Sequence, residues 1–453
     1  MGSLTEATGV NPLTTQAREL RLSATLEINE LVRERLDSGK HVVHLGFGEA
    51  TFPIPKIVRL AHQEASDNTS YLPVAGLWKL RESVARFQTR RLGFTIDPHQ
   101  VVIAPGSKPL LFALLDILQG DVMLPRPSWV SYEPQVKHAG KRLFWVETDE
   151  EDRHTITALS LKATFDRAVA TGGNPRIMLI NSPSNPTGQA FSPSTLEAIT
   201  CFCKEQEVIL ISDEIYSDIC FEENCQASAC SVASFDSGRM VLTGGLSKTY
   251  SAGGWRVGYA IFPSTSFGAT VQKATLAYAS ECWSAASSPA QEAAAIAFDT
   301  SPEMDHYRKK ITLLHQHCTL RLFEALQNCG LAVAKPKGAF YVYPSFHPYS
   351  KQLESMDIWT SLQLSHWLIE DCGVAALPGS VFGEDDVGIQ GGRYRLRMAT
   401  SYLYFQDQNE RYTRGYQLLD RASENRSATA VELPLLEEAI SAIQNAVAKL
   451  KNM

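Results

Sequence analysis

Short, nearly unbroken apolar runs alternate with helical patterns through the middle of the chain. The runs are VVIAP (Val101–Pro105), DVMLP (Asp121–Pro125), RLFWVE (Arg142–Glu147), RIMLIN (Arg176–Asn181), VILISDE (Val208–Glu214), MVLTGG (Met240–Gly245) and GYAIF (Gly258–Phe262). Continuous hydrophobicity, rather than strict alternation, predicts strands covered on both faces and therefore a largely parallel sheet. Between the runs, Leu77, Leu80, Val84 and Phe87 recur at helical spacing, and Ser192 before Pro193 reads as an N-cap and first helical residue. The pattern predicts an α/β fold, with a large doubly wound domain spanning about residues 60–300.

The final third reads differently. A helical stretch near RKKITLLHQHCTLRLFEALQ leads to GAFYVYP, a further helix, GVAALPGSVFG and RYRLRMATS. The last of these alternates like a strand with one exposed face. Leu436, Ile440, Ile443, Val447 and Leu450 form one face of a closing helix introduced by Pro434. This predicts a smaller α+β domain over 301–453. Residues 1–59 are expected to supply an N-terminal arm and part of that domain, joined through VVHLGFGEATFPIP.

Composition narrows the class. The chain has 453 residues, 44% apolar and 20% charged, with a formal net charge of −7. That balance suits a soluble globular protein of two or three domains. It argues against a nucleic-acid or membrane-surface partner, and no run of basic residues contradicts it. No segment reaches the ~18 unbroken apolar residues of a membrane span, and the N-terminus has no signal-peptide core. The nine cysteines include no CxxC pair. They read as free thiols in a reducing, cytoplasmic setting, and no metal site is expected.

Ligands of parallel α/β sheets collect beyond the carboxyl ends of the strands. There the chain places Gly106, Ser107 and Lys108, then Trp129, then Asn185, then Asp213 and Tyr216, then Ser247, Lys248 and Arg256. An anion cradle, an aromatic plate, an amide, a carboxylate, a phenol and an amine on one rim suit pyridoxal 5′-phosphate.

The ordered blocks GFGEATFPIP, YLPVAGLWKLRESVA, APGSKPLLFAL, PRPSWVSYEP, NSPSNPTG, SDEIYSDI, SKTYSAGGWRVGY, GAFYVYP and RYRLRMATS carry a family resemblance. From about Leu45 to Ser401 the chain resembles the class I/II aminotransferases among the fold-type I pyridoxal-phosphate enzymes. Members of that fold have a seven-stranded, mostly parallel sheet. The resemblance implies a ping-pong exchange of an amino group between an amino acid and a 2-oxo acid, through a Schiff base on Lys248. Asp213 would pair with the ring nitrogen, Asn185 and Tyr216 would donate to the phenolate oxygen, and Trp129 would stack on the ring. Gly106, Ser107, Lys108, Ser247 and Arg256 would hold the phosphate. Tyr71 would reach the neighbouring subunit's phosphate in a homodimer with shared sites.

Gly48 is expected to close over the substrate, and an arginine of RYRLRMATS to hold its α-carboxylate. Strand spacing alone leaves Arg393, Arg395 and Arg397 equivalent; the match to RL before ATS favours Arg395. Ser182–Pro183 or Asn185–Pro186 is expected to be cis.

Three places depart from the family pattern. Ala50 and Thr51 replace the residues of GEPDF, Glu281 and Trp283 occupy a usually polar block, and residues 402–432 insert where relatives have a short link. These departures leave side-chain specificity open. They also leave open a lyase, replacement enzyme or cyclase acting at Cβ or Cγ from the same site. A regulatory ligand-binding module on this fold would carry a fused DNA-binding domain, and no basic helix-turn-helix pattern is present.

Overall fold

All seven apolar runs form strands of one sheet. In chain order they are β2 (Val101–Ala104), β3 (Asp121–Arg126), β4 (Leu143–Glu147), β5 (Pro175–Asn181), β6 (Ile209–Asp213), β7 (Met240–Gly245) and β8 (Gly258–Ile261), arranged β2-β8-β7-β6-β5-β3-β4. The computed structural model describes residues 12–20, 24–148, 153–222, 226–233, 235, 238–386, 394–424 and 431–453. Alternate residues of each strand feed two separate cores: Met123, Met178, Leu210 and Leu242 face one, and Val122, Ile177, Ile211 and Val241 the other. Period two with both faces apolar is the signature of a doubly wound sheet, and it is why the runs are continuous.

β8 is the exception to parallel pairing, running antiparallel to both β7 and β2. The reason is the connection. The link from Gly245 to Gly258 contains no crossover helix, so the chain returns on the rim where β7 ended. Gly245 then sits opposite Gly258, and on its other side β8 meets Ala104 at the end of β2.

The remaining strands are short. An antiparallel sheet β11-β12-β9 joins Leu377–Pro378, Leu396–Ala399 and Tyr341–Val342, while β1 (Val43–His44) pairs in parallel with β10 (Val374–Ala375). The N-terminal segment is thereby tied to the C-terminal third: Ala399 N donates to Leu45 O at 2.7 Å. β12 corrects the sequence reading. It is the middle strand of its sheet and all four of its residues are buried, so it has no exposed face. Helix Pro434–Lys451 buries Leu436, Ile440, Ile443, Val447 and Leu450 as the spacing predicts, and Ser192 caps helix Pro193–Glu205. Ser182–Pro183 and Asn185–Pro186 are both cis, as is Arg126–Pro127.

A Cβ at Gly258 would lie 2.3 Å from the Gly106 carbonyl carbon and the Ser107 nitrogen. Backbone cannot yield as a flexible side chain can. Gly258→Ala is expected to cost ~1–3 kcal/mol, as overpacking does, measured as a fall in the denaturation midpoint against wild type.

Candidate active site

The carboxyl ends of the parallel strands and the start of β8 border a cavity of ≈ 570 Å³. Lys248 stands three residues past β7, where the chain turns back towards β8. Its Nζ donates to the Gly48 carbonyl at 2.6 Å. Burial, with Arg397 and Arg256 nearby, draws its pKa down to about 8 against the opposing pull of Glu49 and Asp213.

Asp213 closes β6 at the same rim. Tyr132 OH donates to its Oδ2 at 2.7 Å and Thr243 Oγ1 to its Oδ1 at 3.2 Å. Burial pushes its pKa up to about 6, with those two hydrogen bonds opposing. A cation against this carboxylate would hold it ionised. Asp213 caps no helix, since turns follow it.

Asn185 lies beyond β5. Its backbone N donates to Asn181 Oδ1 at 2.8 Å, and Asn181 Nδ2 donates to Asp213 O, also at 2.8 Å. Tyr216 shares a 2.6 Å hydrogen bond with Tyr341 OH. Trp129 lines the cavity edge-to-face with Tyr132, and Lys108 Nζ stands 4.9 Å from the centre of its ring.

At the far end, Gly106 caps helix Ser107–Ile117 at φ +91°, leaving its first N–H groups without a side-chain partner. A Cβ on Gly106 would be 2.3 Å from Arg256 Nη2, so only glycine lets the guanidinium lie flush on this backbone. Ser107, Ser247 and Arg256 line the same end. Backbone donors, hydroxyls and a guanidinium, opposite a carboxylate and beside a buried amine, fit a phosphorylated pyridinium aldehyde.

Gly48 lines the cavity, where a Cβ would lie 2.4 Å from Tyr341 OH. Tyr71 is 96% exposed and takes no part in this chain's own cavity.

The arginine assignment changes. Arg395 is turned away from the cavity, its Nη1 2.9 Å from Glu384 Oε1 in a buried ion pair. Arg397 lines the cavity instead, its Nη1 donating to Asn185 Oδ1 at 3.2 Å and its Nη2 to Gly46 O at 2.5 Å. Residues two apart on a strand share a face but are displaced by ~6.6 Å along it, and that displacement carries Arg395 past the cavity. Arg393 lies outside the described residues.

Sequence reasoning missed Tyr132, Thr243, Asn181, Tyr341 and Glu49. All five fall within the sequence blocks and apolar runs that carry the site, and Tyr132 follows Trp129 at the spacing that aligns side chains on a helical turn.

The fold is that of the fold-type I aminotransferases: the chain superposes on Thermus thermophilus aspartate aminotransferase with maleate at a TM-score of 0.79 and 25% identity, covering 96% of this chain and 100% of that one. Aspartate aminotransferase from Thermotoga maritima gives 0.77 and 26%, with coverages of 96% and 100%. The family model of aminotransferase class I and II matches residues 40–402. The chain is 32% identical over 396 residues to the aspartate aminotransferase of Geobacillus stearothermophilus, covering 86% of this chain and 95% of that protein. Identity to the aspartate aminotransferase of Bacillus subtilis is 30% over 398 residues, with coverages of 86% and 95%. This protein belongs to the class I and II aminotransferases, a family of pyridoxal-phosphate-dependent enzymes, and is an aminotransferase.

An amine reacts in its neutral form, which for Lys248 predominates above pH 8 rather than above the ordinary lysine value. In the cofactor-free protein, the rate of Lys248 modification by an amine-selective reagent is expected to rise through a midpoint near pH 8. Removing the cation in Arg397→Gln should move that midpoint upward, read by peptide mass spectrometry across a pH series.

Proposed function

We propose that this cavity binds pyridoxal 5′-phosphate on Lys248 and exchanges an amino group between an acidic amino acid, aspartate among them, and a 2-oxo acid by a ping-pong route. The observation that carries the reading is a buried lysine with its pKa drawn down to about 8, sharing one cavity with the Asp213 carboxylate. When bound, the cofactor supplies an aldehyde for the amino group and a ring that accepts the electron pair left as Cα loses its proton.

The chain's own groups do the rest. Lys248 Nζ takes the proton from Cα and returns it, its lowered pKa leaving a useful neutral fraction near neutral pH. Asp213, braced by Tyr132 and Thr243, holds the ring nitrogen's proton. Asn185 and Tyr216 face the phenolate oxygen, and Trp129 covers the ring. The backbone N–H groups of Gly106, Ser107 and Lys108, with the Ser107 and Ser247 hydroxyls and Arg256, hold the phosphate, the guanidinium by paired donors. Arg397 holds the substrate's α-carboxylate, and Gly48 closes over the substrate. Lys108 is the cation for a distal carboxylate. With Lys248 committed to the cofactor and Arg256 to its phosphate, Lys108 and Arg397 are the lining cations left for an anionic substrate.

On this reading residues 60–300 are the cofactor-binding domain, with 1–59 and 301–453 forming the smaller one. The enzyme works as a homodimer in the cytosol. Tyr71 supports the dimer, being an aromatic side chain 96% exposed in one chain and matching a residue that crosses to a neighbour. Free thiols at every described cysteine support a reducing compartment. Among the described residues no helix is long and apolar enough to cross a membrane.

The purified enzyme, offered single amino acids, should turn its visible absorption from the aldehyde to the amine form of the cofactor fastest with aspartate. Borohydride should fix the cofactor on Lys248. Lys248→Ala should lose at least about 10³-fold in kcat, as loss of the proton carrier requires. A colourless protein, or release of ammonia, a thiol or a ring product in the absence of a 2-oxo acid acceptor, would overturn the proposal. Arg397→Gln should raise KM for amino acid and 2-oxo acid alike by about 10²-fold, the loss of a charge-assisted paired contact. An unchanged KM would return the α-carboxylate to another residue.

A further inference from the structure

One wall of the cavity, formed by Phe47, Gly48 and Glu49, belongs to a stretch over 47–54 with neither helix nor strand. Backbone of this kind must find its hydrogen-bond partners elsewhere. Here they come from Lys248 and Ser251 in the lysine loop, from Tyr307, and from Ser401, Arg411 and Tyr416 after β12. Ser401 Oγ donates to Phe47 O at 3.3 Å and Tyr416 OH to Ile54 O at 2.8 Å, while Tyr402 OH donates to the side-chain carboxylate of Glu49, at Oε2, at 2.8 Å.

Arg411 makes a different kind of contact. It lies on helix Gln408–Glu424, inside the 402–432 stretch that the sequence reads as an insertion. Its Nε donates to Phe52 O and its Nη2 to Ser251 O, each at 2.8 Å. Ser251 is three residues past Lys248, at φ +51°, and its hydroxyl accepts from Phe52 N at 3.1 Å. One guanidinium thus spans the strand-free wall and the lysine loop. The helix comes this close because Gly415 lets it: a Cβ there would lie 2.6 Å from Pro53 Cδ.

We infer that Arg411 is a positioning residue of the transamination site, its two-point grip on Phe52 O and Ser251 O holding the Gly48–Glu49 wall at a set distance from the Lys248 loop. The inference rests on the reading that this cavity takes the amino acid. The wall is then arranged before the substrate arrives, which lowers the ordering cost of binding. Lysine cannot substitute, because a single ammonium does not reproduce the rigid fork that reaches both carbonyls.

The test uses the cofactor-loaded enzyme carrying Arg411→Lys, with Tyr416→Phe as a comparison from the same helix. In Arg411→Lys, amide hydrogen exchange should quicken together in 47–54 and in 249–252, because one local opening now frees both segments. KM for the amino acid should rise about tenfold while kcat stays within about twofold, the scale seen when a supporting contact behind a site is lost. Tyr416→Phe should quicken exchange near Ile54 alone and leave KM unchanged. Wild-type exchange and KM in Arg411→Lys would overturn the inference, as would quickening in only one segment or a lowered melting temperature with KM unmoved. Should Arg411→Lys fail to fold, wild-type exchange decides: separate opening of the two segments, with different denaturant dependence, overturns it. Exchange is read without turnover, so an inactive wild type would sink the proposed function and leave this result standing.

Discussion

Lys248 Nζ and the Gly48 carbonyl meet at 2.6 Å across 200 residues of chain. A buried amine is costly unless it finds acceptors, so the loop that carries it cannot settle until the N-terminal stretch lies across the cavity. That stretch brings a carbonyl and no side chain, because the Tyr341 hydroxyl fills the space a Cβ would need at Gly48. The wall, the lysine and the phenol pair Tyr216–Tyr341 therefore fit only together. Arg411 then joins the same two segments from behind, away from the reacting atoms.

Electrostatics reinforce this arrangement. Arg397 is fully buried, yet its charge is spread between Asn185, the Gly46 carbonyl and the faces of Tyr341 and Phe382, 4.9 and 5.2 Å away. It lowers the Lys248 pKa from across the cavity, so the group read as the carboxylate clamp also tunes the amine. An anionic substrate bound at Arg397 would screen that cation and return part of the lysine's basicity as it binds. The antiparallel return of β8 is what brings Arg256 to the same cavity. Glycines at 106, 245 and 258 let three backbones approach where side chains would hold them apart.

Much of this was legible in the chain, for identifiable reasons. Strands buried on both faces need unbroken apolar runs, so every strand of the large sheet announced itself. Residues just past those runs must fall on one rim, which is why Ser107, Trp129, Asn185, Asp213, Tyr216, Ser247, Lys248 and Arg256 surround one cavity. Direction was less legible. GYAIF reads as a buried strand whichever way it points, and only the missing crossover helix before it signalled an antiparallel return. RYRLRMATS alternated as if half exposed, because a buried arginine and a solvated one look alike in a hydropathy pattern.

By itself the sequence determined which residues could do the chemistry: one amine after a buried strand, one carboxylate ending another, and a helix opening on Gly106. Only the tertiary structure decided that Arg397 rather than Arg395 enters the cavity, that Tyr132 and Thr243 brace Asp213, and that the helix at 408–424 reaches the wall. The difference is physical. Local periodicity sets the face on which a side chain stands, whereas its distance along that face from a site depends on how segments far apart in the chain pack together.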